Sequence, residues 1–493
     1  MVGWKKNNEI YQAWTFLIFI AIILSMKNIY IDLFAGCGGL SLGFESAGFN
    51  LGFAVEKSSM AGETFYHNLI QNIKDDLQWK NYLTKSPEQQ LASRLFIGET
   101  LQLLENPQLL EQVKEKYVEV DLIVGGPPCQ GFSLAGKRNP KDHRNELPWQ
   151  FLEYVEIFKP KAVLMENVLG MRQRFNKENE DAPFSKIKKL LESGFGEDNE
   201  GTQYVVQELQ LNAMHYGVPQ HRPRVLLLGI RKDIAEKNNL FATKNIWNSS
   251  EYYLNKELPP LCPKPTVKEK DILTVQDAIG DFFEKPFDNK RYLVNLNKKS
   301  GFKKVIQSGT NNNTNNTLRK HSKKVEQRFR LYQYFSLNDI STKVFNFAAK
   351  YSSSLDSNYI KKIEFEVAKS SFPAFAPDGI LIAHNAKDLI ELILALETKK
   401  HSQRPLKLNS PSPTVVSVPD DVIHPLYPRT VTVREQARFQ SFPDYFEFRS
   451  KETTGGIKRK VEVPQYTQVG NAVPPLMAKV IAKHINSLIQ TID

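Results

Sequence analysis

Between Ile29 and Ile230 the chain repeats one pattern: a short apolar run, a turn, and then a longer segment of helical periodicity. Strands separated by helices pair in parallel, and a parallel sheet must be covered on both faces. The runs Ile29 to Phe34, Leu51 to Glu56, Asp121 to Val124, Ala162 to Met165, Tyr204 to Gln210 and Val225 to Ile230 are therefore expected as strands of one α/β, doubly wound, mostly parallel sheet. After Arg231 the pattern decays into lysine- and asparagine-rich sequence that reads as a separate module, and the tract Asn311 to Asn316 reads as a disordered loop or, failing that, an ordered contact surface. Order returns at Arg404. Leu476, Val480, Ile481, Ile485 and Leu488 then mark one face of a last helix, opened by prolines and expected to pack back onto the first domain.

A chain of 493 residues is too long for a single core, so two or three domains are expected. The net charge of +11 and pI of about 9.2 favour a polyanionic partner such as nucleic acid over a small acidic substrate. Cys37, Cys129 and Cys262 show no paired spacing, so neither a disulfide framework nor a metal site is expected, and the chain reads as cytoplasmic. Residues Ala13 to Leu24, behind Lys5 and Lys6, look like the charged and apolar parts of an export signal, yet they are too short for a comfortable span and run into the first strand without a cleavage pattern. We read Met26 as the natural start, residues 1–25 as an upstream extension, and no membrane partner.

Two turns carry chemistry. In Gly125-Gly126-Pro127-Pro128-Cys129-Gln130-Gly131-Phe132-Ser133 a strand delivers one thiol into a loop stiffened by two prolines, while the glycines admit a planar substrate. That geometry presents a nucleophile; for an isolated cysteine the alternative is a buried structural thiol. Asp32-Leu33-Phe34-Ala35-Gly36-Cys37-Gly38-Gly39-Leu40 follows the first strand and opens a helix, the position where a nucleotide-like cofactor lies over a glycine-rich turn, although the spacing departs from G-x-G-x-x-G. Glu56 ends the second strand, where a carboxylate accepts both hydroxyls of a ribose. Glu99 is placed to do the same for an adenine amine, or is a surface charge.

Six blocks, in this order, resemble the DNA (cytosine-5)-methyltransferase family of bacterial restriction-modification systems: Asp32 to Gly39, Gly125 to Ser133, Glu166-Asn167-Val168, Gln220 to Arg224, Arg429 to Pro443, and Gln468 to Pro474. The resemblance implies a Rossmann-like, S-adenosylmethionine-dependent catalytic domain with a smaller, variable target-recognition domain. On that reading residues 26–231 are catalytic and bind the cofactor, 232–461 form the recognition domain with 232–403 variable and 404–461 a scaffold, and 462–493 return to the catalytic domain. Asp32, Phe34, Ala35, Gly36, Gly38, Gly39, Glu56, Lys57, Glu99, Pro127, Asn471 and Ala472 would line the cofactor site, Asn471 having a helix cap as its alternative. Lys57 stands where some members carry an aromatic residue, and Glu99 where an aspartate is common. The implied partners are double-stranded DNA and a companion restriction endonuclease acting independently on a monomeric enzyme.

Carbon 5 of cytosine is a poor nucleophile until a thiolate adds at carbon 6, the role implied for Cys129. Glu166, at the end of its own strand, suits the charge that collects toward N3. Arg222 and Arg224, on one strand face by period two, are expected to hold the base carbonyl and the adduct, or else to pair with phosphate or carboxylate. Since the carbon is hidden inside a duplex, the base must leave the stack. Gln130 and Ser133 are candidates to fill the vacated space or grip a phosphate, and Lys137, Arg138, Lys141 and Arg144 to close on the backbone as a lid or remain a solvated basic loop. A transfer-RNA cytosine-5 methyltransferase would keep Cys129 and Glu166 but carries a Cys-Phe-Thr tripeptide absent here; a catalytically silent DNA-binding relative would show eroded catalytic residues.

Overall fold

The computed structural model describes residues 28–117, 119–128, 146–168, 182–195, 201–288, 290–302, 304–305, 314–398, 403–456, 458 and 461–490. At its centre is an eight-stranded sheet: β1 (Ile29–Leu33), β2 (Asn50–Glu56), β3 (Leu95–Ile97), β4 (Leu122–Gly125), β5 (Ala162–Asn167), β6 (Tyr204–Asn212), β7 (Pro223–Arg231) and β8 (Trp247–Asn248). The strand order is β3-β2-β1-β4-β5-β7-β6-β8. β1 to β5 are parallel, and β7 is antiparallel to both β5 and β6. The six expected strands are present with ends shifted by no more than two residues; β3 and β8, of 3 and 2 residues, are additions.

Every residue of β1 and β4 is buried, which is why these strands read as apolar runs, broken in β1 only by Asp32, and not as alternations. Tyr30 and Leu42 belong to the core on one face of the sheet, with Leu476 and Ile481 of helix Pro475–Ile489. Ile31 and Leu33 belong to the other, with Phe151 of helix Leu147–Phe158 and Ile187 of helix Pro183–Ser193. Helix Gly39–Glu45 lies against Pro475–Ile489 so closely that a Cβ at Gly43 would fall 2.5 Å from the Ala478 methyl and 2.7 Å from the Lys479 nitrogen.

The core does not divide at residue 231. Leu261, Cys262, Ile279, Tyr292 and Phe302, and later Val431, Phe439 and Phe442, pack in the same cluster as Tyr30. A further core is built mainly on helices Lys323–Leu337, Val344–Ser354, Ser357–Val367 and Ala386–Ala395, through Phe329, Phe335, Phe345, Ile363, Leu389 and Ile393, with Ala374, Ala383 and Ile423 joining from outside them. The apolar residues between 261 and 302 lack regular spacing because they share a core with segments far away in the chain, Tyr216 before them and Val431 to Phe442 after them among others. The asparagine tract also differs from expectation where it is described. Asn315 donates to the Phe448 carbonyl (2.8 Å) and accepts from the Phe448 N–H (2.9 Å), and Asn316 accepts from the Thr432 hydroxyl at 2.7 Å. An amide side chain pairs with a backbone like another strand, which composition does not reveal. Residues 311–313 and the 1–25 extension lie outside the described residues. No helix among the described residues is long and apolar enough to cross a membrane.

Candidate active site at the carboxyl edge of the sheet

The chain winds outward from β1 to β2 and β3 and then returns to β4, so a crevice opens where β1 and β4 lie side by side, outside their carboxyl ends. Four loops meet there: after β1, Phe34 to Gly39; after β2, Glu56 to Ser58; after β4, Gly126 to Pro128; and after β5, Val168. Because β7 is antiparallel, its first residues also reach this edge, with Val225 opposite Asn167 and Leu226 opposite Glu166.

That register brings Arg224 to Glu166. The Arg224 Nε lies 2.8 Å from Glu166 Oε1, both side chains are largely buried, and an Arg224 NH group also donates to the Pro223 carbonyl at 2.8 Å. Glu166 Oε2 faces Gly126, where a Cβ would come within 3.0 Å of it, so only glycine leaves the carboxyl undisturbed. Asn167 clamps the two strand ends. Its Nδ2 donates to the Pro127 carbonyl at 3.1 Å, and its Oδ1 accepts from the Val168 N–H at 2.8 Å. Loop 126–128 thus leaves β4 from a fixed point. Sequence reasoning gave Asn167 no role, although a polar residue ending an apolar strand was the available signal. Cys129, Gln130, Ser133, Lys137, Arg138, Lys141 and Arg144 lie outside the described residues. The other two cysteines are buried, and burial pushes the thiols of Cys37 and Cys262 up to about 12, which leaves neither as a nucleophile.

The turn after β1 takes a left-handed course, with φ of 61° at Phe34, 58° at Gly36 and 91° at Gly38. Nothing lies within 4 Å of where a Gly36 Cβ would stand, so open space borders the turn. The Gly36 N–H donates to Glu56 Oε2 at 2.8 Å and the Ser58 N–H to Oε1 at 2.7 Å. Burial raises the Glu56 carboxyl above its usual range, and these two donors oppose the rise. Each oxygen keeps a free lone-pair direction, so a diol fits beside the turn. Asp32 is buried under the same turn and accepts from the Ser41 hydroxyl at 2.5 Å. Burial lifts it to about 7, against the Ser41 bond and with the charge of Glu56. Ala35 is buried, its N–H donating to the Val55 carbonyl, and Gly39 abuts the Val473 carbonyl. Lys57 and Glu99 form an exposed ion pair of 2.6 Å at the rim, and the Glu99 N–H is held by Gln102 Oε1 at the start of helix Thr100–Leu104.

Arg222 departs from the expected role. Its residue precedes β7 and is 1% exposed, and its guanidinium donates to the carbonyls of Val415 (3.4 Å), Gly470 (3.0 Å) and Ala472 (2.9 Å). Period two placed it beside Arg224, but the strand begins only at Pro223. It holds the turn carrying Asn471, which is exposed at the end of helix Gln465–Asn471; the next helix is capped at Pro474, so Asn471 does not cap it. Gln440 joins the same turn, donating to the Val469 carbonyl at 2.7 Å, and Gln220 donates to Gln440 Oε1 at 2.9 Å. Residues 29–89 and 106–487 match the family described as C-5 cytosine-specific DNA methylase. The chain belongs to that family.

The methylase is 30% identical over 467 residues to the type II methyltransferase M.DdeI of Desulfomicrobium norvegicum, covering 94% of this chain and 89% of the relative. It is 27% identical to M.XorII of Xanthomonas oryzae pv. oryzae, over 93% of this chain and 84% of that one, and 27% identical to M.AgeI of Thalassovita gelatinovora, over 92% and 98%. It is a DNA cytosine-5 methyltransferase of the restriction-modification type.

Proposed function

We propose that the methylase modifies carbon 5 of a cytosine rotated out of one specific duplex sequence, through a transient bond between the Cys129 sulfur and carbon 6. The observation that carries this reading is the Glu166–Arg224 pair, set by the antiparallel β7 beside the loop that leads to Cys129. S-adenosylmethionine, when bound, supplies an electrophilic methyl group. The residues that fit it are Glu56 for the ribose hydroxyls, the open turn at Gly36, and the rim formed by Lys57 and Glu99.

Attack of the Cys129 thiolate on carbon 6 moves electron density to carbon 5 and toward N3. Glu166 bonds the ring edge there, and Arg224 both orients that carboxyl and offers its remaining N–H groups to the base carbonyl. Asn167 keeps the two loops in register, so that thiol and carboxyl meet one ring. After transfer, water or a base takes the proton from carbon 5, the electron pair of that carbon–hydrogen bond forms the double bond between carbons 5 and 6, and the carbon–sulfur pair leaves with Cys129 as thiolate. Rotating the base out costs on the order of a few kcal/mol, which contacts of the Gln130 to Arg144 segment with the opened duplex would offset. The enzyme works as a cytoplasmic monomer, guarding DNA against a separate endonuclease.

The test is bisulfite sequencing of plasmid DNA from a methylation-free bacterium expressing the methylase or its Cys129→Ser variant. Protected cytosines in one short recurring context, absent with the variant, are expected. Undiminished protection by Cys129→Ser would refute the covalent step.

A further inference from the structure

Between Lys290 and Lys324 the chain carries ten lysines and arginines and no aspartate or glutamate. The first half of this segment is built onto the side of the molecule away from the crevice. Helix Gly39–Glu45 begins at the cofactor turn and ends at Ser46, after which the chain re-enters the sheet at Asn50. Gly301 sits beside the Ser46 carbonyl, and the Lys479 ammonium donates to the Ser300 carbonyl. Tyr445 donates its hydroxyl to the Phe302 carbonyl at 3.1 Å and lies under the Lys304 ammonium. Lys298, Lys299, Lys304 and Lys483 are exposed around this junction, with Lys479 half-buried among them.

No ion pair neutralises these five lysines among the described residues. The carboxylate this segment touches, Asp444, is bonded to Asn297 and already held in two places by Arg438, at 2.8 and 3.0 Å. Burial and the neighbouring charge of Lys483 push the Lys479 ammonium below its usual range. A cluster of like charges with no counterion among the described residues is stabilised by an external polyanion. Lysine, a compact charge on a flexible stem, suits phosphate contact without base reading.

We propose that this face, made of Lys298, Lys299, Lys304, Lys479 and Lys483, binds the phosphate backbone of a second segment of duplex DNA, distinct from the segment held at the crevice. The enzyme then keeps hold of a long DNA while the crevice releases one site and finds another. The proposal rests on the established DNA substrate and not on the covalent step at Cys129.

The quadruple variant Lys298→Gln, Lys299→Gln, Lys304→Gln, Lys483→Gln tests it, beside the matching Lys→Arg variant, which keeps the charge. On plasmid-length DNA lacking target sites, the Gln variant is expected to bind at least about 10-fold more weakly at low salt, with the slope of log affinity against log salt shallower by up to about 3.6, at roughly 0.9 per phosphate contact for four lysines. On a duplex of about two helical turns, too short to serve both faces, binding and turnover should stay unchanged for both variants. Equal loss on short and long DNA would place these lysines at the crevice and overturn the proposal. So would an unchanged slope, or a loss shared by the Lys→Arg variant, which would make the role one of packing.

Discussion

At the carboxyl edge of the sheet, Asp32 is buried and Glu56 half-buried, with hydrogen bonds from Ser41 and from backbone N–H groups, and no lysine or arginine among the described residues pairs with them. Burial holds both carboxyls up, Asp32 to about 7. In the block from Arg429 to Arg449 the outcome is opposite. Glu435 takes two bonds of 2.8 Å from Arg429, which with His424 outweigh its burial and hold it down. Glu447 is held down to about 2, first by the His67 imidazole and then by the Arg449 guanidinium. Arg434 is likewise enclosed by the carbonyls of Thr314, Pro443 and Phe446. The scaffold satisfies its own charges and so has one geometry. The edge leaves polar capacity unused, which is where a ligand gains most.

This contrast can be broken at its sharpest point, the two arginines of Gln220 to Arg224. Glu166→Gln or Arg224→Gln should lower turnover by about 10²- to 10⁴-fold with little change in thermal midpoint or DNA affinity, as for a group whose interaction grows in the transition state. Kinetics beside a melting curve separates the two effects, and equal loss of binding and rate would make these residues positioning groups only. Arg222→Met should act the other way. Leaving three carbonyls unpaired in the interior should cost about 3 kcal/mol or more in urea unfolding, with cofactor and DNA binding lost together.

A smaller effect tests the sign of the two carboxylate classes. Asp32 has a folded value near 7 against 3.8 unfolded, so its contribution is fully present below about pH 4 and is lost as pH rises through 7. Relative to Asp32→Asn, the natural protein should therefore lose up to about 4 kcal/mol between pH 4 and 8. Glu447 is the reverse: its contribution is present above its ordinary value of 4.5 and lost as pH falls toward 2, so Glu447→Gln should flatten the acid limb of the same unfolding series. Parallel slopes for the two variants would end the comparison. Least of all, Lys57→Ala, breaking an exposed pair, should change stability by less than about 1 kcal/mol. A large rise in cofactor KM from it would promote the rim to a binding element.

Most of the main strands were legible because burial on both faces leaves a largely apolar signature, whereas β6, with Gln207, Glu208 and Gln210, showed instead by its alternation of buried and part-exposed positions. β3, only Leu95–Ile97, is too short to carry a period. Glu166 and Arg224 could be named from their blocks, but their contact depends on β7 running against β5, which no spacing reveals. Arg222 was misread because its partners, at Val415, Gly470 and Ala472, stand about two hundred residues away or more. The same holds for the apolar residues from Leu261 to Phe302, whose core is shared with Val431 and Phe442. Local pattern reports what a segment buries, and rarely against what.

Gly43 against Ala478 has a consequence in time. A ribosome adding about 5 to 20 residues per second takes roughly 20 to 90 s to travel from Gly43 to the end of helix Pro475–Ile489. Until then one face of the first helix, and the turn that Gly39 seats on Val473, lack their cover. A chain cut before Pro475 is therefore expected to lack methyl transfer, which the same bisulfite assay would read.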